Sequence, residues 1–115
     1  MVLNFFASWC GPCNAEAPHM EKEFWQKYRS RGVQVLGVNA GERGPQTELA
    51  RQFSKKHGLT FPVLIDEGDR VATQYGVIGF PTTIVIDRQG TVKLVATGFN
   101  PIQLEETIKT LLSAK

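Results

Sequence analysis

Cys10 and Cys13 stand three residues apart in Trp9-Cys10-Gly11-Pro12-Cys13, directly after the apolar run from Val2 to Phe6. Two sulfurs at that spacing, at the start of a helix, share one edge of the first turn and can close a small-loop disulfide. The pair can therefore hold two electrons. A thiol attacks only as its thiolate, and the unpaired N–H groups and partial positive charge of a helix N-terminus stabilise that anion. Cys10, the outer of the two, is the expected nucleophile. Pro12 suits a first helical turn, where a missing N–H is no loss, and Gly11 leaves room for a partner's backbone. By residue type alone the pair also serves as a structural disulfide or as half of a zinc site. Zinc needs four ligands, and only His19 and His57 could supplement the thiolates. His19 falls off the apolar stripe of its helix and is expected in solvent. His57 precedes Gly58, where a partly charged imidazole suits a helix C-terminus.

Glu16 follows Cys13 by one helical turn, so the two side chains project from neighbouring positions. Cys13 must lose its proton to attack a mixed disulfide, and a carboxylate beside it could take that proton directly or through water. An acidic residue there also simply suits the helix dipole. Trp9 and Phe80 could form an apolar collar for a substrate or pack the edge of the core.

The elements that must position these groups read clearly. Val2 to Phe6 is a central strand buried on both faces. The helix opened by the cysteines carries Ala17, Met20, Phe24 and Tyr28 at spacings of three and four, with Pro18 expected to kink it and Gly32 to cap it. Val33 to Asn39 is a second strand, joined to the first by a right-handed parallel crossover. After the polar loop from Ala40 to Gly44, Pro45 starts a helix with Leu49, Ala50 and Phe53 on its apolar face, closed at Gly58. Leu59 to Asp66 is a third strand, put near a sheet edge by Pro62, and a short helix runs to Tyr75. Thr82 to Asp87 and Thr91 to Thr97 form a hairpin. Asn100-Pro101-Ile102-Gln103 opens the last helix with a capping-box pattern, and Leu104, Ile108, Leu111 and Leu112 line its inner face. If Val2 to Phe6 is central and Thr82 to Asp87 lies antiparallel beside it, Cys10 and Pro81 share one edge of the sheet.

Trp-Cys-Gly-Pro-Cys matches the thioredoxin active-site motif letter for letter. The flanking Asn4-Phe5-Phe6-Ala7-Ser8 and Asn14-Ala15-Glu16-Ala17-Pro18 resemble the ResA/TlpA/DsbE-type branch of thiol-disulfide oxidoreductases. Thioredoxins carry a buried Asp where this chain has Asn4, whereas the branch carries Glu at the position of Glu16. Gly79-Phe80-Pro81-Thr82-Thr83 resembles the family's cis-proline segment, and the stretch from Ala40 to Gly76 its extra helix and strand. The resemblance implies a single thioredoxin-like α/β domain over residues 1–115, with a mixed five-stranded sheet flanked by helices and the strand order third, second, first, fourth, fifth. It implies Cys10 and Cys13 as the redox pair, Glu16 as an aid to proton transfer at Cys13, and Trp9, Gly11, Pro12, Phe80 and Pro81 as the substrate-facing rim. The implied partners are a disulfide-containing protein substrate and a membrane-bound or thioredoxin-type electron donor. The redox-active disulfide stands in for a cofactor, and no metal is expected. The implied setting is extracytoplasmic, with reduction of exported proteins, apocytochrome c among them. Met1 directly precedes a core strand where the branch carries a further segment and a secretion signal or anchor, so the likeness implies a longer parent chain with such a segment. A cytosolic thioredoxin is disfavoured by Asn4 and the insertion. A copper or zinc carrier would use the thiolates as soft ligands, and a redox-inert interaction module would not use them at all. A peroxide-reducing relative is a weaker match, because Cys10 is not preceded by Pro-x-x-x-Thr-x-x.

Bulk properties agree with one globular domain: 115 residues, 42% hydrophobic. The formal charge of +2 is small and its basic residues are scattered, which gives no nucleic-acid footprint. No apolar run approaches the roughly 20 residues of a membrane span, and no signal peptide is legible at the start.

Overall fold

The computed structural model describes residues 1–113. Strand β1 is Val2–Phe6 and is buried along its whole length. Strand β2 is Val35–Asn39, β3 Val63–Ile65, β4 Thr82–Ile86 and β5 Val92–Thr97. They form one sheet in the order β3-β2-β1-β4-β5, with β1, β2 and β3 parallel and β4 and β5 antiparallel. This is the expected order. Phe5 pairs with Thr82, so the end of β1 and the start of β4 meet at one edge, and the segments holding Cys10 and Pro81 leave from it.

Alternation along β1 divides the core. Val2 faces Met20, Phe24, Tyr28, Leu104 and Ile108, while Leu3 and Phe5 face the opposite side with Ala72. Asn4 shares the face of Val2 and Phe6, which is how a polar strand residue comes to point at the first helix.

That helix, α1 (Gly11–His19), passes without a break into a π-helical segment, Met20–Gln26, and ends in a 3-10 turn, Arg29–Arg31. Pro18 has no N–H for the Asn14 carbonyl, and the ladder widens just beyond it to i→i+5 bonding. The expected kink is thus a change of helical pitch. Glu21 and Gln26, five apart, are brought together, and Gln26 Nε2 donates to Glu21 Oε2 at 2.6 Å. Ala17, Met20, Phe24 and Tyr28 are all buried, and Gly32 closes the helix at φ +89°.

Helix α2 is Gln46–Lys56, α3 Arg70–Gln74 and α4 Pro101–Ser113. Pro45 lies one position outside α2, with extended ψ, not at its first turn. Gln46 Nε2 there donates to the carbonyls of Asn39 and Asp66, tying α2 to the ends of β2 and β3. Gln103 N donates to Asn100 Oδ1 at 3.1 Å, capping α4, and Leu111 and Leu112 are half-buried beside the core.

Four strands are shorter than expected: β2, β3 and, by one residue each at their hairpin, β4 and β5. β2 begins at Val35, because Val33 N is spent on the Tyr28 carbonyl at the helix end. β3 begins at Val63: the amides of Thr60 and Phe61 go to the Glu21 carboxylate, and Pro62 has no N–H to offer. At the hairpin, Asp87 leaves the strand because its carboxylate accepts from Gln89 N and Thr91 N, both at 2.9 Å.

Candidate active site

Cys10 caps α1. Its backbone is extended, and its Sγ accepts the N–H of Cys13 at 3.2 Å. The two sulfurs form a disulfide across Cα atoms 5.2 Å apart. Cys10 is 4% exposed and Cys13 1%, whereas Gly11 and Pro12 are exposed beside them. A side-chain carbon built on Gly11 would meet nothing within 4 Å, so the surface over the disulfide is open to another chain. A thiolate released at Cys10 would sit where helical N–H groups point and the dipole is positive.

Glu16 is buried below, one turn from Cys13, at 1% exposure. Its Oε1 accepts from Asn4 Nδ2 at 2.5 Å, and its Oε2 has no hydrogen-bond partner among the described residues. Burial raises its pKa from the usual 4.5 to about 7, against the opposing pull of the Asn4 bond and of His19. The group can therefore both take and return a proton near neutral pH. Asn4, which replaces thioredoxin's Asp, holds this carboxyl.

The Phe80–Pro81 peptide bond is cis. Phe80 packs against the cluster of Phe6, Ala7, Cys10, Cys13, Ala17 and Phe53, and its ring meets that of Trp9 edge-on at 6.2 Å. Trp9 is 45% exposed.

The loop after β2 is the part of the site that sequence reasoning passed over. Gly41 O accepts Trp9 Nε1 at 2.8 Å. Gly41 has φ +64°, and a side-chain carbon there would lie 2.5 Å from Phe80 Cε2, so only glycine fits. Glu42 accepts from Ser8 N and Ser8 Oγ, each at 2.7 Å, and from Asn39 Nδ2 at 2.7 Å. Arg43 lays its guanidinium 3.8 Å from the Trp9 ring centroid. A signal did exist: parallel β1 and β2 end at the same edge, so a Gly-Glu-Arg loop after β2 must border the cysteines.

The histidines differ from expectation in one case. His19 is exposed, paired with Glu23 and near the Phe99 ring. For His57, burial and the nearby Lys56 lower the pKa, which disfavours the partly charged imidazole expected at this helix end, and its Nε2 meets Asn14 Oδ1 at 2.8 Å. Among the described residues no group of three or more His, Cys, Asp or Glu side chains is placed to hold a metal.

Residues 1–95 match the family model described as the AhpC/TSA family. The chain belongs to the AhpC/TSA family. Within it, the chain is 45% identical over 98 residues to the thiol-disulfide oxidoreductase ResA of Geobacillus thermodenitrificans, covering 85% of this chain and 54% of that one. To ResA of Halalkalibacterium halodurans it is 40% identical over 112 residues, covering 97% and 61%. The chain thus spans a little over half the length of these curated relatives. A crystal structure of a candidate thiol:disulfide interchange protein DsbE from Chlorobium tepidum superposes with a TM-score of 0.87 at 36% identity, covering 97% of this chain and 79% of that one. The fold of this AhpC/TSA member is therefore the single thioredoxin-like domain that its motifs implied, insertion included.

Proposed function

We propose that this chain is a thiol-disulfide oxidoreductase whose working group is the Cys10–Cys13 couple, with no other redox cofactor. The observation that carries the reading is the pairing of a disulfide at a helix N-terminus with a buried carboxyl of pKa about 7 one turn below. The Cys10 thiolate attacks one sulfur of a substrate disulfide, forming a mixed disulfide and releasing the other sulfur as thiolate. Glu16 takes the proton of Cys13, and the Cys13 thiolate then attacks Cys10 Sγ, displacing the remaining substrate sulfur. The substrate gains two electrons, and the protein is left oxidised.

Substrate docking falls to the rim. Trp9 and Phe80 give apolar surface, and Gly11 and Pro12 allow close approach. Among the described residues neither backbone group of Phe80 has an intramolecular partner, which suits strand-like pairing with an extended substrate beside Pro81.

The likeness to ResA-type relatives supports three finer inferences. The reaction runs toward reduction of disulfides in exported proteins, as in cytochrome c maturation. The setting is extracytoplasmic, in the bacterial periplasm or on the outer face of the membrane. Electrons come from a membrane-bound or thioredoxin-type donor. No helix among the described residues is long and apolar enough to cross a membrane.

Equilibration in dithiol/disulfide buffers with alkylation trapping tests the direction. A potential near that of thioredoxin, about −270 mV, fits a reductase; one near that of DsbA, about −120 mV, reverses the physiological direction.

A further inference from the structure

Asn14 and His57 have no part in the exchange set out above, yet they connect the inserted helix α2 to the backbone that carries Cys10. Asn14 Nδ2 donates to Ser8 O at 3.1 Å and to Cys10 O at 2.9 Å, and Asn14 N donates to the same Cys10 carbonyl at 3.1 Å. With both amide hydrogens committed to carbonyls, Oδ1 can only accept, so the proton on His57 Nε2 is the one shared between them at 2.8 Å. The imidazole is fixed in turn: its ring lies edge-on to Phe53 at 4.7 Å, and Phe53 stacks on Phe6 of β1 at 4.4 Å. A packed column thus rises from the strand that ends at the redox loop and returns to that loop as a hydrogen bond.

We propose that Asn14 and His57 are positioning residues: Asn14, oriented by His57, locks the backbone of Ser8 to Cys10 so that the Cys10 sulfur is held in place for closure by Cys13. A loop already held in the closed arrangement loses less freedom when the disulfide forms. The clamp therefore favours the disulfide over the dithiol, makes the protein a stronger reductant and speeds the second step. Releasing it loosens the loop without touching either sulfur.

The inference rests on Cys10–Cys13 being the working couple, so wild-type protein is first equilibrated with dithiol/disulfide buffer. His57→Leu, which keeps bulk and removes the donor, is expected to lower the equilibrium constant for disulfide formation about tenfold, or about 30 mV in potential, and to slow decay of a trapped mixed disulfide. His57→Gln, which keeps a donor of similar reach, restores wild-type behaviour. Asn14→Ala shifts the potential in the same direction, and adding His57→Leu to it changes nothing further, because His57 acts only through Asn14. Equal shifts in His57→Leu and His57→Gln overturn the inference, as does an undiminished His57→Leu effect in the Asn14→Ala background. The two His57 variants decide the matter even where Asn14→Ala does not fold. Wild-type protein that fails to exchange with the buffer overturns the functional reading and the inference with it, whereas normal wild-type exchange with unshifted variants overturns the inference alone.

Discussion

Glu16 and Glu21 lie five residues apart on one continuous helix, and both are closed off from solvent, at 1% and 3% exposure. Their chemistry differs because their donors differ. Among the described residues Glu16 receives a single hydrogen bond, from Asn4, and keeps one oxygen bare; burial dominates and lifts its pKa to about 7. For Glu21 burial also pushes upward, but the N–H and hydroxyl of Thr60, the amide of Gln26 and the N–H of Phe61 together outweigh it, and the pKa ends below the usual carboxylate value. Trp25 Nε1 adds a bond to the Thr60 hydroxyl. One buried carboxylate is thus a fixed structural anion that holds β3's approach against the helix, and the other is the proton carrier of the proposed exchange. Burial alone does not separate a catalytic acid from a structural one. The count of donors does.

The largest way to test this contrast is Glu21→Ala. It strands two backbone N–H groups and a hydroxyl, and is expected to destabilise the fold by roughly 3–5 kcal/mol, seen as a lower urea midpoint. A loss under 1 kcal/mol would show that Glu21 anchors nothing. In Glu16→Gln the effect should fall on chemistry: decay of a mixed disulfide trapped on Cys10 slows about 100-fold near pH 7 while the fold is retained. Mixed disulfides that decay at the wild-type rate would remove Glu16 from the mechanism.

A smaller effect is on stability against pH. Because the folded pKa of Glu16 is raised, the folded state binds the extra proton between the usual 4.5 and about 7. Its contribution to stability is fully present below 4.5 and is lost as pH rises through 7. Oxidised Glu16→Gln protein should therefore gain on wild type as pH rises from 4.5 to 8, by up to about 3 kcal/mol. Parallel denaturation profiles for the two proteins would contradict the raised pKa. The smallest expected change is in Asn4→Ala, which removes the Asn4 hydrogen bond to Glu16 and moves the carboxyl titration further upward, as followed by infrared difference spectroscopy. A downward move would mean that Asn4 does not favour the charged form.

What could be read in the residues was local or periodic. Trp9 to Cys13, the buried β1, the stripe from Ala17 to Tyr28 and the Asn100–Pro101 cap each depend on neighbours within a turn or two, and the strand order came from the likeness to the thioredoxin fold. The position of Glu16 one turn from Cys13 was legible for the same reason. What escaped was long-range. Glu21 meets Thr60 across 39 positions, Ser8 meets Glu42 across 34, and Asn14 meets His57 across 43. No spacing rule links such pairs. The truncated β3 has the same origin, since its first amides are diverted to a side chain on another element.

The sequence by itself determined that a dithiol would sit at the head of a helix, beside a central strand and opposite a proline loop, because hydrophobic periodicity and helix-end chemistry act over a few residues. Only the tertiary structure decided which buried carboxyl would stay protonatable, which loop would clasp Trp9 and Ser8, and that a histidine on the inserted helix would reach the redox loop. Those outcomes depend on how many donors converge on one point in space, and that number is set when distant segments pack, not by the residues next door.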